Sequence, residues 1–162
     1  MDRRSLIAAA LAGSAIALPA APQPADGPRS LAERFAATLS AHDIAGFAAL
    51  LADDYVNHQM SAAAPPPATG KTAKQATVDF FTARLTGIPD LQVATEVVMT
   101  SPGMVAASFV YTGTHSGPLF GVAPTGRKLR FTSCDIFAVR NERIAEHWGM
   151  GDIAGVLAQI RS

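Results

Sequence analysis

Asp152 is a carboxylate at the end of the last predicted strand that could act as a general base. It follows Trp148 and Met150 at two-residue steps, and alternation along a strand places such side chains on one face unless a bulge intervenes. A carboxylate beside an indole in an apolar pocket loses solvation, which makes it a better base near neutral pH. Because Asp152 also directly precedes a predicted C-terminal helix, capping that helix is the alternative role.

Three further polar residues lie where an extended segment or a strand ends. Asn57 and His58 close an extended segment that we expect to line the mouth of a pocket, where either side chain could hydrogen-bond a substrate carbonyl and stabilise an enolate. Their alternative role is to close a strand end. His115 lies where a strand enters a glycine-rich loop, so it either faces the pocket or holds the loop, and the surrounding glycines favour the second role.

Asp135 interrupts an otherwise apolar predicted strand. It is either a polar group of the pocket or an ionic partner for Arg130 or Arg127. His147 has the opposite parity to Trp148, so we expect its side chain to point away from the pocket.

Composition excludes several classes of site. Thirteen basic residues balance thirteen acidic ones, which argues against a nucleic-acid-binding protein. The single cysteine, Cys134, cannot form an internal disulfide or a cysteine-ligated metal cluster, and it is predicted to be a small core residue. The four histidines lack metal-ligand spacing and no serine-hydrolase elbow occurs, so the sequence predicts neither a metal nor another cofactor.

The N-terminal part of the chain has the features of an export signal. Arg3 and Arg4 precede an apolar run, and small residues follow, so residues 1–20 are predicted to be a signal peptide. The arginine pair also resembles the twin-arginine export signal. The run is too short for a comfortable membrane span, so no stable membrane insertion is expected after cleavage. Residues 21–29 are a predicted linker, and residues 30–162 are one predicted domain of an exported, periplasmic protein.

Helices come first in that domain. Ser30 and Glu33 predict a capping box at the start of the first helix, and Asp43 predicts the cap of a second. An extended segment over 53–60 and a third helix over 72–85 follow. The residues of the third helix that are expected to face the core are Val78, Phe81 and Leu85.

The hydrophobic period then changes to two. Strands are predicted over 91–100, 104–114, 128–140 and 143–150, with a short helix over 153–162. The short turns between the first two and the last two strands predict antiparallel neighbours. The fold class is therefore α+β, with the helices packed on one face of the sheet.

Four ordered motifs resemble those of SnoaL-like polyketide cyclases, also called ester cyclases. Residues 113–126 read Gly-Thr-His-Ser-Gly-Pro-Leu-Phe-Gly-Val-Ala-Pro-Thr-Gly, which resembles the family signature. The other pieces are Tyr-Val-Asn-His at 55–58, Gly-Ile-Pro-Asp-Leu at 87–91, and Ile-Ala-Glu-His-Trp at 144–148 followed by Asp152. The resemblance covers roughly residues 30–160.

The resemblance implies a cone-shaped fold like that of nuclear transport factor and ketosteroid isomerase, with a curved antiparallel sheet and one deep apolar pocket. It implies cofactor-free, aldol-type ring closure of a small apolar carbonyl compound, and a homodimer formed across the exposed face of the sheet. Asp152, His58 and His115 are the candidate catalytic residues. The candidate substrate-binding residues are Asn57, Tyr55, Trp148, Phe109, Asp135 and Met150.

Two other functions stay open at this point. One is an exported, non-catalytic small-molecule-binding domain of the same fold, because one fold serves both uses. The other is an epoxide-hydrolysing or dehydrating relative, which needs an acidic and basic pair beside Asp152. Asp135 with Arg130 is the visible pair for that chemistry.

Overall fold

A computed structural model describes residues 27–59 and 67–162. The predicted signal peptide, most of the predicted linker and residues 60–66 lie outside the described residues. The described residues form four helices and five strands in one α+β domain. The helices are α1 (Pro28–Ser40), α2 (Ile44–Leu50), α3 (Ala73–Gly87) and α4 (Ile153–Arg161), and the strands are β1 (Leu51–Asn57), β2 (Gln92–Ser101), β3 (Met104–Thr114), β4 (Lys128–Arg140) and β5 (Arg143–Gly151).

The helix starts differ in part from the prediction. Helix α1 begins at Pro28, so Ser30 lies inside its first turn, where its hydroxyl donates to the Gly27 carbonyl instead of forming a capping box. A capping box is present in α3, where the Thr72 hydroxyl accepts from the Gln75 amide and the Gln75 side chain accepts from the Thr72 amide. The predicted cap of α2 is confirmed.

One five-stranded sheet has the order β1-β5-β4-β3-β2. Strands β2 to β5 form the predicted antiparallel meander. Strand β1 adds a parallel partner to β5, and the His58 amide extends this pairing by donating to the His147 carbonyl at 2.7 Å. Because β1 and β5 are far apart in sequence, local turn signals did not predict this pairing.

The core lies between the helices and the inner face of this curved sheet. Phe35 of α1 is in its centre, with its ring 5.1 to 5.6 Å from those of Phe47, Phe81, Phe109 and Phe137. Such aromatic contacts add to the stability that burial of apolar area provides.

Helix α3 turns a partly polar side to the core. Phe81 is buried as predicted, but Thr77 and Arg84 are its buried neighbours, whereas Val78 and Leu85 are only partly buried. Val78 and Leu85 do pack against the core, as predicted, but they share the inward side of the helix with these polar residues. The interior of this domain therefore contains polar groups that need partners.

No helix within the described residues is long and apolar enough to cross a membrane.

Candidate active site

A chain of hydrogen bonds runs through the interior of the domain. His147 Nε2 lies 2.7 Å from Asp135 Oδ1, and both side chains are less than a tenth exposed. The Ser133 hydroxyl donates to Asp135 Oδ2 at 2.5 Å. At the two ends, the Tyr55 hydroxyl lies 3.2 Å from His147 Nδ1 and the Tyr111 hydroxyl lies 3.3 Å from Ser133 Oγ. We call these five residues the interior polar cluster.

Four strands position the cluster. Tyr111 is on β3, and Ser133 and Asp135 face inward at alternate positions of β4. His147 faces inward from β5 and Tyr55 from β1. Non-local strand pairing therefore brings all five side chains to one place, although they span more than ninety positions of sequence.

A β-bulge in β5 turns His147 inward. Ala138 pairs with Glu146 but Val139 pairs with Ile144, so Ala145 is an extra residue on the bulged strand. Ile144 and His147 both face the core as a result, although they are three positions apart. The prediction that His147 points away was wrong, because it assumed uninterrupted alternation.

Burial controls the protonation of the two tyrosines. Together with a smaller effect of the nearby Asp135 charge, it raises the pKa of Tyr55 to about 12 and that of Tyr111 to about 12. Both hydroxyls are therefore protonated donors at neutral pH. In the tautomer with its proton on Nε2, His147 accepts from the Tyr55 hydroxyl at Nδ1 and donates to Asp135.

Asp135 is thus a polar group of the interior, which is one of the two roles that the sequence left open. Its partners are His147 and Ser133, not Arg130 or Arg127. Arg130 is exposed, and its backbone amide and carbonyl bond to the side-chain amide of Gln159.

Asp152 caps a helix in this structure. Its side chain is exposed, and Oδ1 accepts from the Gly155 amide at 2.8 Å at the start of α4. This is the alternative role that the sequence left open, and a catalytic role for Asp152 stays a prediction. The arrangement does not join Asp152 to the interior polar cluster.

His115 holds the glycine-rich loop. It is fully buried, with Nδ1 2.9 Å from Thr125 Oγ1, and its carbonyl accepts from the amides of Thr125 and Gly126. These contacts join the two ends of the loop, which is the role that the surrounding glycines favoured. Within the described part of the chain, His115 Nε2 is the one buried side-chain nitrogen or oxygen that lacks a hydrogen-bond partner.

Several candidate residues lie on the outer face of the sheet. Trp148 and Met150 point outward and are 38% and 79% exposed, because the bulge gives the inward position to His147. The expectation that they share a pocket-facing side with Asp152 is therefore corrected. His58 stacks on Trp148 with ring centres 4.4 Å apart, and its Nε2 lies 2.8 Å from Glu146 Oε2.

The remaining candidates have structural contacts. The Asn57 side chain accepts from the Gln59 amide at 3.0 Å, and Phe109 is fully buried against Phe35. Cys134 is exposed on the outer face, so its predicted place in the core was wrong. Among the described residues, no three His, Cys, Asp or Glu side chains are grouped in a way that could hold a metal ion.

Sequence reasoning missed three members of this interior. Tyr111, Ser133 and Arg84 are buried, and none of them was a candidate. Tyr111 occupies an inward position of a strand that was predicted with the correct bounds, so its parity relative to Phe109 could have identified it.

A family model for SnoaL-like polyketide cyclases matches residues 29–160. The chain belongs to this family. The α+β fold that the sequence predicted, that of nuclear-transport-factor-like proteins, is therefore confirmed for this SnoaL-like domain.

Solved structures agree with this membership. IdmH from Streptomyces antibioticus, a proposed polyketide cyclase, is 28% identical with a TM-score of 0.71, and the match covers 83% of this chain and 99% of that chain. AclR from Streptomyces galilaeus, a proposed hydroxylase, is 22% identical with a TM-score of 0.69, covering 83% and 95%. TsrD from Streptomyces laurentii is 20% identical with a TM-score of 0.71, covering 85% and 96%. Among curated proteins, no sequence matches significantly.

Proposed function

We propose that this SnoaL-like domain catalyses cofactor-free, aldol-type ring closure of a small apolar carbonyl compound, with Asp135 as the general base. The observation that carries the proposal is the buried bond between His147 and Asp135. A buried carboxylate can accept a proton from a substrate when its partners leave a lone pair free. Each Asp135 oxygen accepts one hydrogen bond from the cluster, so lone pairs remain for a substrate proton.

The reaction needs one proton acceptor that later returns the proton. Asp135 removes a proton from a carbon between two carbonyl groups, and the electron pair of the broken C–H bond moves onto a carbonyl oxygen to give an enolate. The enolate carbon then forms a C–C bond with a second carbonyl carbon of the same molecule, and the resulting alkoxide takes the proton back from Asp135. No atom is lost or gained, so the step requires no oxidant or co-reactant.

The neighbours of Asp135 have two supporting roles. His147 and Ser133 fix the orientation of the carboxylate, because they hold one oxygen each. Tyr111 supplies a neutral hydroxyl close to this carboxylate, and its pKa of about 12 keeps it protonated. When substrate is bound, this hydroxyl would turn its proton from Ser133 Oγ to a developing enolate oxygen and stabilise it.

The test is proton exchange on a surrogate substrate. An aryl-substituted 3-keto ester is incubated with the protein in D2O, and exchange at the carbon between its carbonyls is followed by proton NMR above the buffer background. We expect Asp135→Asn to lower the protein-dependent rate roughly 10²–10⁴-fold, as for loss of a general base. Thermal melting confirms that the variant is folded.

Asp152→Asn is the matched control. Asparagine caps a helix as well as aspartate does, so this variant should keep both its melting temperature and its exchange rate. Exchange that survives in Asp135→Asn, or is lost in Asp152→Asn, would assign the base elsewhere. A wild-type protein that binds the ester without accelerating exchange would identify the non-catalytic binding domain instead.

A further inference from the structure

Arg84 is a buried cation among aromatic rings. It is 5% exposed, and the central carbon of its guanidinium lies 4.7 Å from the ring centre of Phe80 and 5.1 to 5.4 Å from those of Phe81, Tyr111 and Phe131. Aromatic faces attract such a cation, but they offer no strong acceptor for its five N–H groups. The guanidinium is therefore solvated incompletely by its own protein.

No direct partner among the described residues neutralises this charge. Within residues 27–59 and 67–162, no carboxylate forms an ion pair with Arg84 and no oxygen accepts a hydrogen bond from it. Burial lowers the pKa of Arg84, and the charge of Asp135 opposes this effect. An interior cation without a hydrogen-bonded partner is costly for stability, which is a reason to look for an anion that the ligand supplies.

Arg84 is also next to the proposed base. Its guanidinium lies 5.3 Å from the ring centre of Tyr111, whose hydroxyl is 3.3 Å from Ser133 Oγ, and Ser133 donates to Asp135. Tyr111 therefore separates a cation from a carboxylate. A ligand that contacts both groups would turn its anionic end to Arg84 and the acidic carbon between its carbonyl groups to Asp135.

We propose that Arg84 binds a carboxylate of the ligand, so that the substrate class is a carbonyl compound with a free carboxylate at one end. This inference deepens the proposed function and rests on it for the position of the reacting carbon. The planar fork of a guanidinium matches the two oxygens of a carboxylate, and such paired, charge-assisted bonds are strong in a site with little water. The four rings would pack against an apolar or aromatic body.

The experiment compares two probes that differ in charge. Binding of 2-naphthoate and of 2-naphthamide, which have nearly the same shape, is measured by calorimetry on the wild-type protein and on Arg84→Met. We expect the wild type to bind the acid with roughly 10-fold or more higher affinity than the amide. This ratio of affinities corresponds to one charge-assisted hydrogen bond. Arg84→Met keeps an apolar contact with the rings and should lose this preference while binding the amide unchanged.

Two controls separate this result from others. Arg34→Met removes an exposed arginine of α1 and should leave the preference intact. Asp135→Asn should lose proton exchange but keep the preference for the acid, so failure of the base assignment and failure of the Arg84 assignment give different results.

Three outcomes would overturn the proposal: equal binding of the two probes to the wild type, no binding of the acid, or a preference that survives in Arg84→Met. If Arg84→Met does not fold, the NMR signal of the Arg84 Nε–H group in the wild type tests the proposal instead. It should shift on addition of 2-naphthoate and not of 2-naphthamide, and an unchanged signal would contradict the proposal.

Discussion

Gly149 faces Asp135 directly across the ladder between β4 and β5. Because glycine has no side chain, it leaves room for His147 to reach Asp135. A Cβ atom at Gly149 would lie 2.5 Å from Asp135 Oδ1 and closer still to His147 Nε2. Neither of these atoms can yield easily, because both belong to buried, hydrogen-bonded side chains. The hydrogen bond between His147 and Asp135 therefore requires a glycine at position 149.

We predict that Gly149→Ala separates His147 from Asp135. Overpacking of this kind lowers the free energy of unfolding by about 1–3 kcal/mol, and the loss of the buried hydrogen bond adds to the effect. The measurement is chemical denaturation together with the proton-exchange rate, and both should fall.

Gly151→Ala is the matched control, because Gly151 pairs with Ser133 one step further along the same two strands. The nearest atoms to its added Cβ, on Ile153 and Ser133, are 3.9 Å away, which is ordinary contact. This variant should therefore keep its stability and exchange rate. Equal behaviour of the two alanine variants would refute the steric argument for Gly149.

The alkaline limit of stability should follow the two tyrosines, which are the only ones in the chain. Their pKa is about 12 in the folded protein and near 10 when unfolded. Because the folded state holds these protons more tightly, the stabilising contribution is complete below pH 10 and is lost as the pH rises from about 10 towards 12.

Tyrosinate absorbance at 295 nm checks this prediction. In the native protein it should appear only together with the loss of the circular dichroism signal, whereas in guanidinium chloride it should show a midpoint near 10. A native protein that releases either phenolic proton near pH 10 while keeping its dichroism would show that the hydroxyl is not buried as described.

The outer face of the sheet carries an apolar stripe, and we predict that a second copy of the chain covers it. Met99, Ala106, Ile136 and Trp148 pair in this order across β2 to β5, and Met150 follows Trp148 on the same face. The helices pack against the inner face, so they leave this stripe exposed. A two-fold axis through the stripe would bury it in both copies.

Light scattering at micromolar concentration should give the mass of a dimer. Ile136→Glu places a charge in the stripe and should give the mass of a monomer, while Ala83→Glu, on the exposed side of α3, should remain dimeric. A monomeric wild-type protein would exclude this assembly.

Export is predicted from the N-terminal sequence. Mass spectrometry of the exported protein should show a new N-terminus between about Leu18 and Ala25. Replacing Arg3 and Arg4 by lysine should leave the precursor uncleaved if the signal is of the twin-arginine type. A soluble protein that retains Met1 would contradict the prediction of a cleaved signal.

Local patterns in the sequence were sufficient for much of the fold. The bounds predicted for β3 and β4 agree with the structure, and Asp43 caps α2 as expected. Alternating apolar residues and short turns act over a few residues, so they can be read without knowledge of the rest of the chain. The four ordered motifs likewise indicated the family that the family model confirms.

The tertiary structure decided which side chains meet. The extra residue at Ala145 reverses the alternation of β5, which turns His147 inward and Trp148 outward, and no local pattern marks this bulge. The parallel pairing of β1 with β5 then brings Tyr55 to His147, and packing of α3 places Arg84 over Tyr111. These contacts join residues that are distant in sequence. Which of them meet is decided by the packing of the whole core, because each buried polar group must find a hydrogen-bond partner inside it.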